Sequence, residues 1–171
     1  MTSDSKPLPA STGLAADPTH QEVRLRLKPQ AAAPGLLDGA WWPRSTGPVA
    51  EFPALLAGIG VRMGTVDRMA FNLTAWARAP RHLVVDGRPI LLEGFRTVDP
   101  HMVFLSGHGW HRMALLVIPP DTAADVAGLA LVRASDPANT ERAAQILAAA
   151  GGRDDAERRW EGDGGRVYER D

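Results

Sequence analysis

The chain has 171 residues, no Cys, 14 Pro, 17 Gly, and 19 Lys and Arg against 20 Asp and Glu, a formal charge of −1. That length suits one domain with tails, and an apolar fraction of 44 % can furnish a core, but no stretch approaches the roughly 20 apolar residues of a membrane-spanning helix. The absence of Cys excludes disulfides, thiolate nucleophiles, zinc knuckles and iron–sulfur clusters.

Residues 1–20 mix Ser, Thr, Pro and Ala with almost no large apolar side chain, so a disordered N-terminal arm is expected there. The apolar run of a signal peptide is missing, and the expected location is the cytoplasm. Val23, Leu25 and Leu27 then alternate with Arg24, Arg26 and Lys28, the period of a half-buried strand, which Pro29 ends. Gly35 to Pro48 reads as a loop. Val49 to Ile59 reads as a short helix with Phe52, Leu55, Leu56 and Ile59 on one face, Pro53 in its first turn and Gly60 at its end.

Beyond Val61 the pattern turns β. Met69, Phe71, Leu73 and Ala75 form one face of a strand, with Arg68, Asn72, Thr74 and Trp76 on the other. Leu83–Asp86 and Pro89–Phe95 are joined across Asp86-Gly87 as a hairpin, and Met102–Leu105 and Met113–Ile118 as another across Gly107-His108-Gly109. With no helical stretch between them, these strands are expected to be antiparallel neighbours. Two helices follow: one capped by Asp121 or Thr122 with Val126, Leu129 and Ala130 inward, the other capped by Asn139 or Thr140 with Ala143, Ile146, Leu147 and Ala150 inward, ended by Gly151-Gly152. The expected fold is α+β: about six antiparallel strands forming a curled sheet or small barrel, one short helix after the first strand and two C-terminal helices. Residues 21–151 form the single domain and 152–171 a charged, disordered tail.

Three groups of residues could carry chemistry. Asn72, Thr74 and Trp76 place an amide, a hydroxyl and an indole N–H in a row, either lining a ligand cleft or forming a solvated strand face. In Trp41-Trp42-Pro43-Arg44-Ser45 the adjacent indoles point opposite ways, so they either close the end of the core or offer an aromatic patch beside Arg44. His101, His108 and His111 lie around one hairpin with Asp99 and Glu93 nearby, but no metal-site spacing accompanies them. No G-x-S-x-G elbow, phosphate-binding loop or dinucleotide fingerprint is present. Residues 20–96 carry ten Arg and Lys against six Asp and Glu, and residues 97–171 carry eight against twelve.

Several segments resemble a small actinobacterial family of unknown function. They are Arg24 to Pro29, Leu37-Asp38-Gly39-Ala40-Trp41-Trp42-Pro43-Arg44-Ser45, Asn72-Leu73-Thr74-Ala75-Trp76, Gly94-Phe95-Arg96 with Asp99-Pro100-His101, and Leu116 to Asp121. The resemblance runs from about Val23 to Gly151 and leaves His108 and His111 outside it. It implies a one-domain cytoplasmic protein from a GC-rich bacterium, and it implies no activity, cofactor or catalytic residue.

The leading expectation is therefore a non-catalytic binding module without cofactor or metal. Its patch would comprise Trp41, Trp42, Arg44, Asn72, Thr74, Trp76, Arg96, Asp99 and His101, for a small anionic ligand or a protein partner. Membrane and nucleic acid are not expected partners. One alternative is a small enzyme using an Asp99–His101 pair with Glu93, with or without a metal; the other is a weak single-stranded nucleic-acid binder using Arg24, Arg26 and Lys28.

Overall fold

The computed structural model describes residues 22–30, 32 and 35–152; the expected arm, and all of the expected tail beyond residue 152, lie outside the described residues. In chain order the elements are β1 (Leu25–Leu27), β2 (Gly39–Trp41), α1 (Pro48–Met63), β3 (Val66–Asn72), β4 (His82–Val85), β5 (Arg88–Phe95), β6 (Met102–Gly107), β7 (Arg112–Val117) and α2 (Ala124–Ala134). A further helix, α3, occupies 143–152. No described helix is long and apolar enough to cross a membrane.

The seven strands form one sheet in the order β1-β2-β7-β6-β3-β5-β4. The α+β class holds, but the sheet is open and mixed rather than a barrel of six antiparallel strands. β1 and β4 are its two edges, and β2 runs parallel to β7 while β3 runs parallel to β5. Parallel neighbours need a crossover, and a long connection serves as well as a helix. Residues 73–81 carry the chain past one strand position, β4 lands on the edge, and the Asp86-Gly87 hairpin returns β5 into the gap beside β3. Asp86 at φ 50° and Gly87 at φ 75° give that turn the left-handed pair a two-residue hairpin requires.

β2 lies in what reads as a loop, since three residues flanked by Gly and Pro carry no detectable period. It exists because Gly39 lets two backbones meet: a Cβ there would stand 2.2 Å from the Arg26 carbonyl oxygen. β2 consequently sits between β1 and β7 with all three residues buried.

The sheet is covered on both faces. Leu115 and Val117 of β7 face one core with Trp41, Phe52, Leu55, Ile59, Met69, Phe71, Trp76 and Leu105, while Leu116 and the following Ile118 face a second with Ala127, Ala130, Ala134, Ala143, Ile146 and Ala150. Alternation on a strand buried on both sides thus divides one apolar run between two layers. α1 packs on the first face, α2 and α3 on the second. A bulge between Val66 and Arg68 brings Val66 and Met69 to the α1 side despite their odd separation.

Helix boundaries move for local reasons. α1 begins at Pro48, so Pro53 falls in its second turn, and it continues through Gly60 to Met63 before Gly64, at φ 77°, donates its N–H to the Gly60 carbonyl at 2.9 Å. α2 starts at Ala124 without a side-chain cap, so neither Asp121 nor Thr122 caps it. Its buried stripe is alanine at 127, 130 and 134, whereas Leu129 is exposed; small side chains let the helix lie close against the sheet. α3 runs through Gly151 and Gly152 rather than ending before them.

Between α2 and α3, Arg133 donates two hydrogen bonds to Glu141, at 2.6 and 2.8 Å, and Asn139 donates a third at 2.7 Å. The bond from Arg133, then the one from Asn139, hold the Glu141 carboxyl at about 2 against an ordinary 4.5. A depressed carboxyl contributes stability that is present above the ordinary value and lost as pH falls through the folded one. The urea midpoint gap between the native chain and Glu141→Gln is therefore expected to be full near about pH 5 and to close as pH approaches about 2. A gap independent of pH would show that the pair does not couple the helices.

Candidate functional site

Four chain segments meet where β2, β3 and β7 end and β6 begins: the Trp41-to-Thr46 stretch, the Asn72-to-Trp76 turn, Pro100-His101 and Pro119-Pro120-Asp121. The three on the carboxyl side of their strands, with the residues that lead into β6, form one end of the sheet.

β3 stops at Asn72, four residues short of the expected strand, so Asn72, Thr74 and Trp76 do not share a strand face. The Asn72 side chain is the cause. Its Oδ1 accepts hydrogen bonds from Thr74 N at 2.7 Å, Thr74 Oγ1 at 2.6 Å and Ala75 N at 3.0 Å, while Nδ2 donates to the Val98 carbonyl at 2.6 Å. Such a side chain offers the backbone a turn in place of the next ladder pair. The turn sends Trp76 back into the core. There its ring lies 5.3 Å from that of Trp41 at an interplanar angle of 10°, and Phe52 meets it edge-on at 4.8 Å.

Trp41 and Trp42 do point opposite ways. Trp41 is buried in the core; Trp42 is half-buried on the other face, donating Nε1–H to the Pro119 carbonyl at 3.2 Å. The Arg24 guanidinium stacks 3.5 Å over the Trp42 ring and donates to the Trp42 and Pro43 carbonyls at 2.9 and 2.8 Å. Burial, then repulsion from Arg44, lower its pKa, with Glu51 opposing.

Beside these rings opens a cleft of about 220 Å³ whose walls include Pro43, Thr46, Trp76, His101, Pro119 and Asp121. Trp76 is 7 % exposed, and its Nε1 is the one buried side-chain nitrogen or oxygen among the described residues without a hydrogen-bond partner. An indole N–H in an apolar wall is a donor with nothing to donate to.

Of the nine expected site residues, Trp76 and His101 line this cleft. Trp41 supports it from beneath, and Trp42 anchors the Pro119 wall. Asn72 and Thr74 are spent on the turn. Asp99 positions His101 by accepting its backbone N–H at 2.8 Å, and the His101 carbonyl accepts Val117 N at 2.7 Å. Arg44, whose Nη1 donates to the Glu22 carbonyl at 2.9 Å, and the exposed Arg96 stand outside the lining. The proline walls are the part that residue-type reasoning misses, although Pro119-Pro120-Asp121 belongs to the segments singled out by resemblance.

The residues of the alternatives are placed elsewhere. Glu93 faces Arg68 at 3.5 Å, His108 faces Asp67 at 3.7 Å, and no three His, Asp or Glu side chains cluster as metal ligands among the described residues. The stripe Arg24, Arg26, Lys28 is not an open cationic face: Arg24 is committed to Trp42, Lys28 is buried, and only Arg26 is exposed.

These features define an α+β domain with a proline- and indole-walled cleft at one end of a mixed sheet. The chain belongs to the family of unknown function DUF5994, which matches residues 24–134 and so contains β1 through α2 and every residue lining the cleft. A search of curated proteins and a search of solved structures returned no match.

Proposed function

We propose that this domain is a non-catalytic binding module of the cytoplasm whose cleft takes a small ligand with an apolar body and one oxygen acceptor, a short-chain carboxylate or its neutral amide. The observation that carries this reading is Trp76, which lines the cleft and whose buried Nε1–H has no hydrogen-bond partner. Leaving a buried donor unpaired costs about 1–3 kcal/mol, and an acceptor brought by a ligand would recover part of that. At about 220 Å³ the cleft is smaller than the roughly 300–1,000 Å³ of sites for drug-sized molecules, which favours a ligand of a few carbons. His101 offers a second polar contact, and the four prolines of the wall are already rigid, so little ordering entropy opposes binding.

Butyrate and butyramide are suitable probes in a ¹H–¹⁵N titration. The expected result is a saturable shift of a single indole N–H resonance, the one that disappears in Trp76→Phe. If neither probe moves that resonance, the cleft is a packing gap and the binding reading fails.

A further inference from the structure

At the opposite end of β7 a second cleft, of about 450 Å³, lies between the end of β1, the end of α1 and the first residues of β7. Its lining includes Lys28, Asp38, Arg62, His111 and Arg112. Arg112 and Val117 bound β7, so this cleft and the Trp76 cleft are separated by about 17 Å of strand at roughly 3.3 Å per residue.

Charge distinguishes the two. Lys28, Arg62 and Arg112 are formally cationic, and Asp38 is the sole carboxylate of the lining. None of the three cations has a carboxylate within ion-pair distance among the described residues. Asp38, whose Oδ2 accepts a hydrogen bond from Ala114 N at 2.8 Å, offsets one of the three charges. The carbonyl end of α1 opens here and contributes about half a negative charge, which leaves the formal excess of two positive charges largely uncancelled.

The donors divide into a field and a grip. Lys28 is 5 % exposed, and its Nζ donates to the Asn139 carbonyl at 2.6 Å, so its charge acts at a distance. A buried cation satisfied by a neutral carbonyl alone is costly unless an anion shares its surroundings. Arg62 has one guanidinium N–H committed to the Lys28 carbonyl, which ties it to the cleft wall and leaves its remaining donors. The exposed side chains of Arg112 and His111 make no hydrogen bond to any described residue. A planar guanidinium with free parallel N–H groups matches two oxygens of one oxyanion.

We infer that this cleft binds a small molecule through a phosphate-type oxyanion, gripped by Arg112 and Arg62 in the field of Lys28. The inference is independent of the Trp76 cleft.

The probe is inorganic phosphate, titrated into the full chain by ¹H–¹⁵N NMR against sodium chloride of equal ionic strength. A saturable shift of the 111–113 backbone resonances with phosphate and not with chloride is expected, weakened at least about tenfold in Arg112→Ala, since each charge-assisted pair is worth about 1.5–3 kcal/mol. Arg112 is exposed and supports no packing, so this variant should fold; thermal denaturation verifies that. Equal responses to phosphate and chloride, or undiminished phosphate binding by Arg112→Ala, would overturn the assignment. Glycerol 3-phosphate and acetate then separate a phosphate ester from a carboxylate source: tighter binding of the ester supports the inference, and tighter binding of acetate overturns it.

Discussion

Trp41→Ala is expected to lower folding stability by about 3–5 kcal/mol, the range for truncating a buried aromatic to alanine. Trp41 is 1 % exposed, and its backbone is held on both sides, opposite Leu25 in β1 and Val117 in β7. The vacated space could close only if Trp76 or Phe52 moved in. Trp76 is fixed by the turn that Asn72 builds, and Phe52 by α1, so a cavity remains. The offset stack with Trp76 adds about 0.5–1.5 kcal/mol beyond area alone. Trp42→Ala is the internal comparison. It loses one hydrogen bond to Pro119, the Arg24 stack and the part of its ring packed against the second core, and because the ring is only half-buried the total is smaller, about 2–3 kcal/mol. Urea denaturation of both variants measures the difference; equal losses would contradict the division of the pair into a fully buried and a half-buried indole.

The same pair illustrates what the sequence makes legible. Adjacent extended residues must point oppositely, and the opposed indoles follow from that alone. Both hairpins, α1's apolar face and the α3 stripe are likewise periodic or punctuated features, and they stand where periodicity puts them. What is not legible depends on contacts distant in sequence. β2 is three residues long and exists because its neighbours accept it; the parallel pairing of β3 with β5 depends on which side of β3 the chain returns; the alanine stripe of α2 is hidden because alanine is a weak marker of burial. The site behaves similarly. Aromatic and polar residues drew attention to Trp76 and His101, but the prolines that wall the cleft come from three separate segments and carry no signal until the strand ends converge.

Asn72 is where a local rule overrides the strand period, and its replacement carries the second large effect. Extending the alternation from Met69 through Trp76 treats residue 72 as one more outward polar position, yet it is 4 % exposed and makes four hydrogen bonds. Asn72→Ala would leave the Thr74 and Ala75 N–H groups and the Val98 carbonyl without partners. At about 1–3 kcal/mol for each unpaired group, reduced because Ala75 and Val98 are only partly buried and Thr74 is exposed, a total near 3 kcal/mol is expected. The loss should extend to the stacked indoles, because the turn is what returns Trp76 to Trp41, and a weaker near-ultraviolet circular dichroism band is the readout. Asn72→Asp separates the amide's two roles. It keeps the acceptor for Thr74 and Ala75 but turns an oxygen toward the Val98 carbonyl in place of the Nδ2 donor. Two effects then oppose each other: burial and the facing Val98 carbonyl favour the protonated form, whose O–H can replace the lost donor, whereas the three hydrogen bonds from Thr74 and Ala75 favour the charged form. Where the Val98 contact outweighs the three donors the folded pKa is raised, and Asn72→Asp approaches the native chain at low pH and falls behind as pH rises, while Asn72→Ala keeps a constant deficit. A deficit of Asn72→Asp that instead grows as pH falls would mean that the three donors, and not the Val98 bond, govern residue 72.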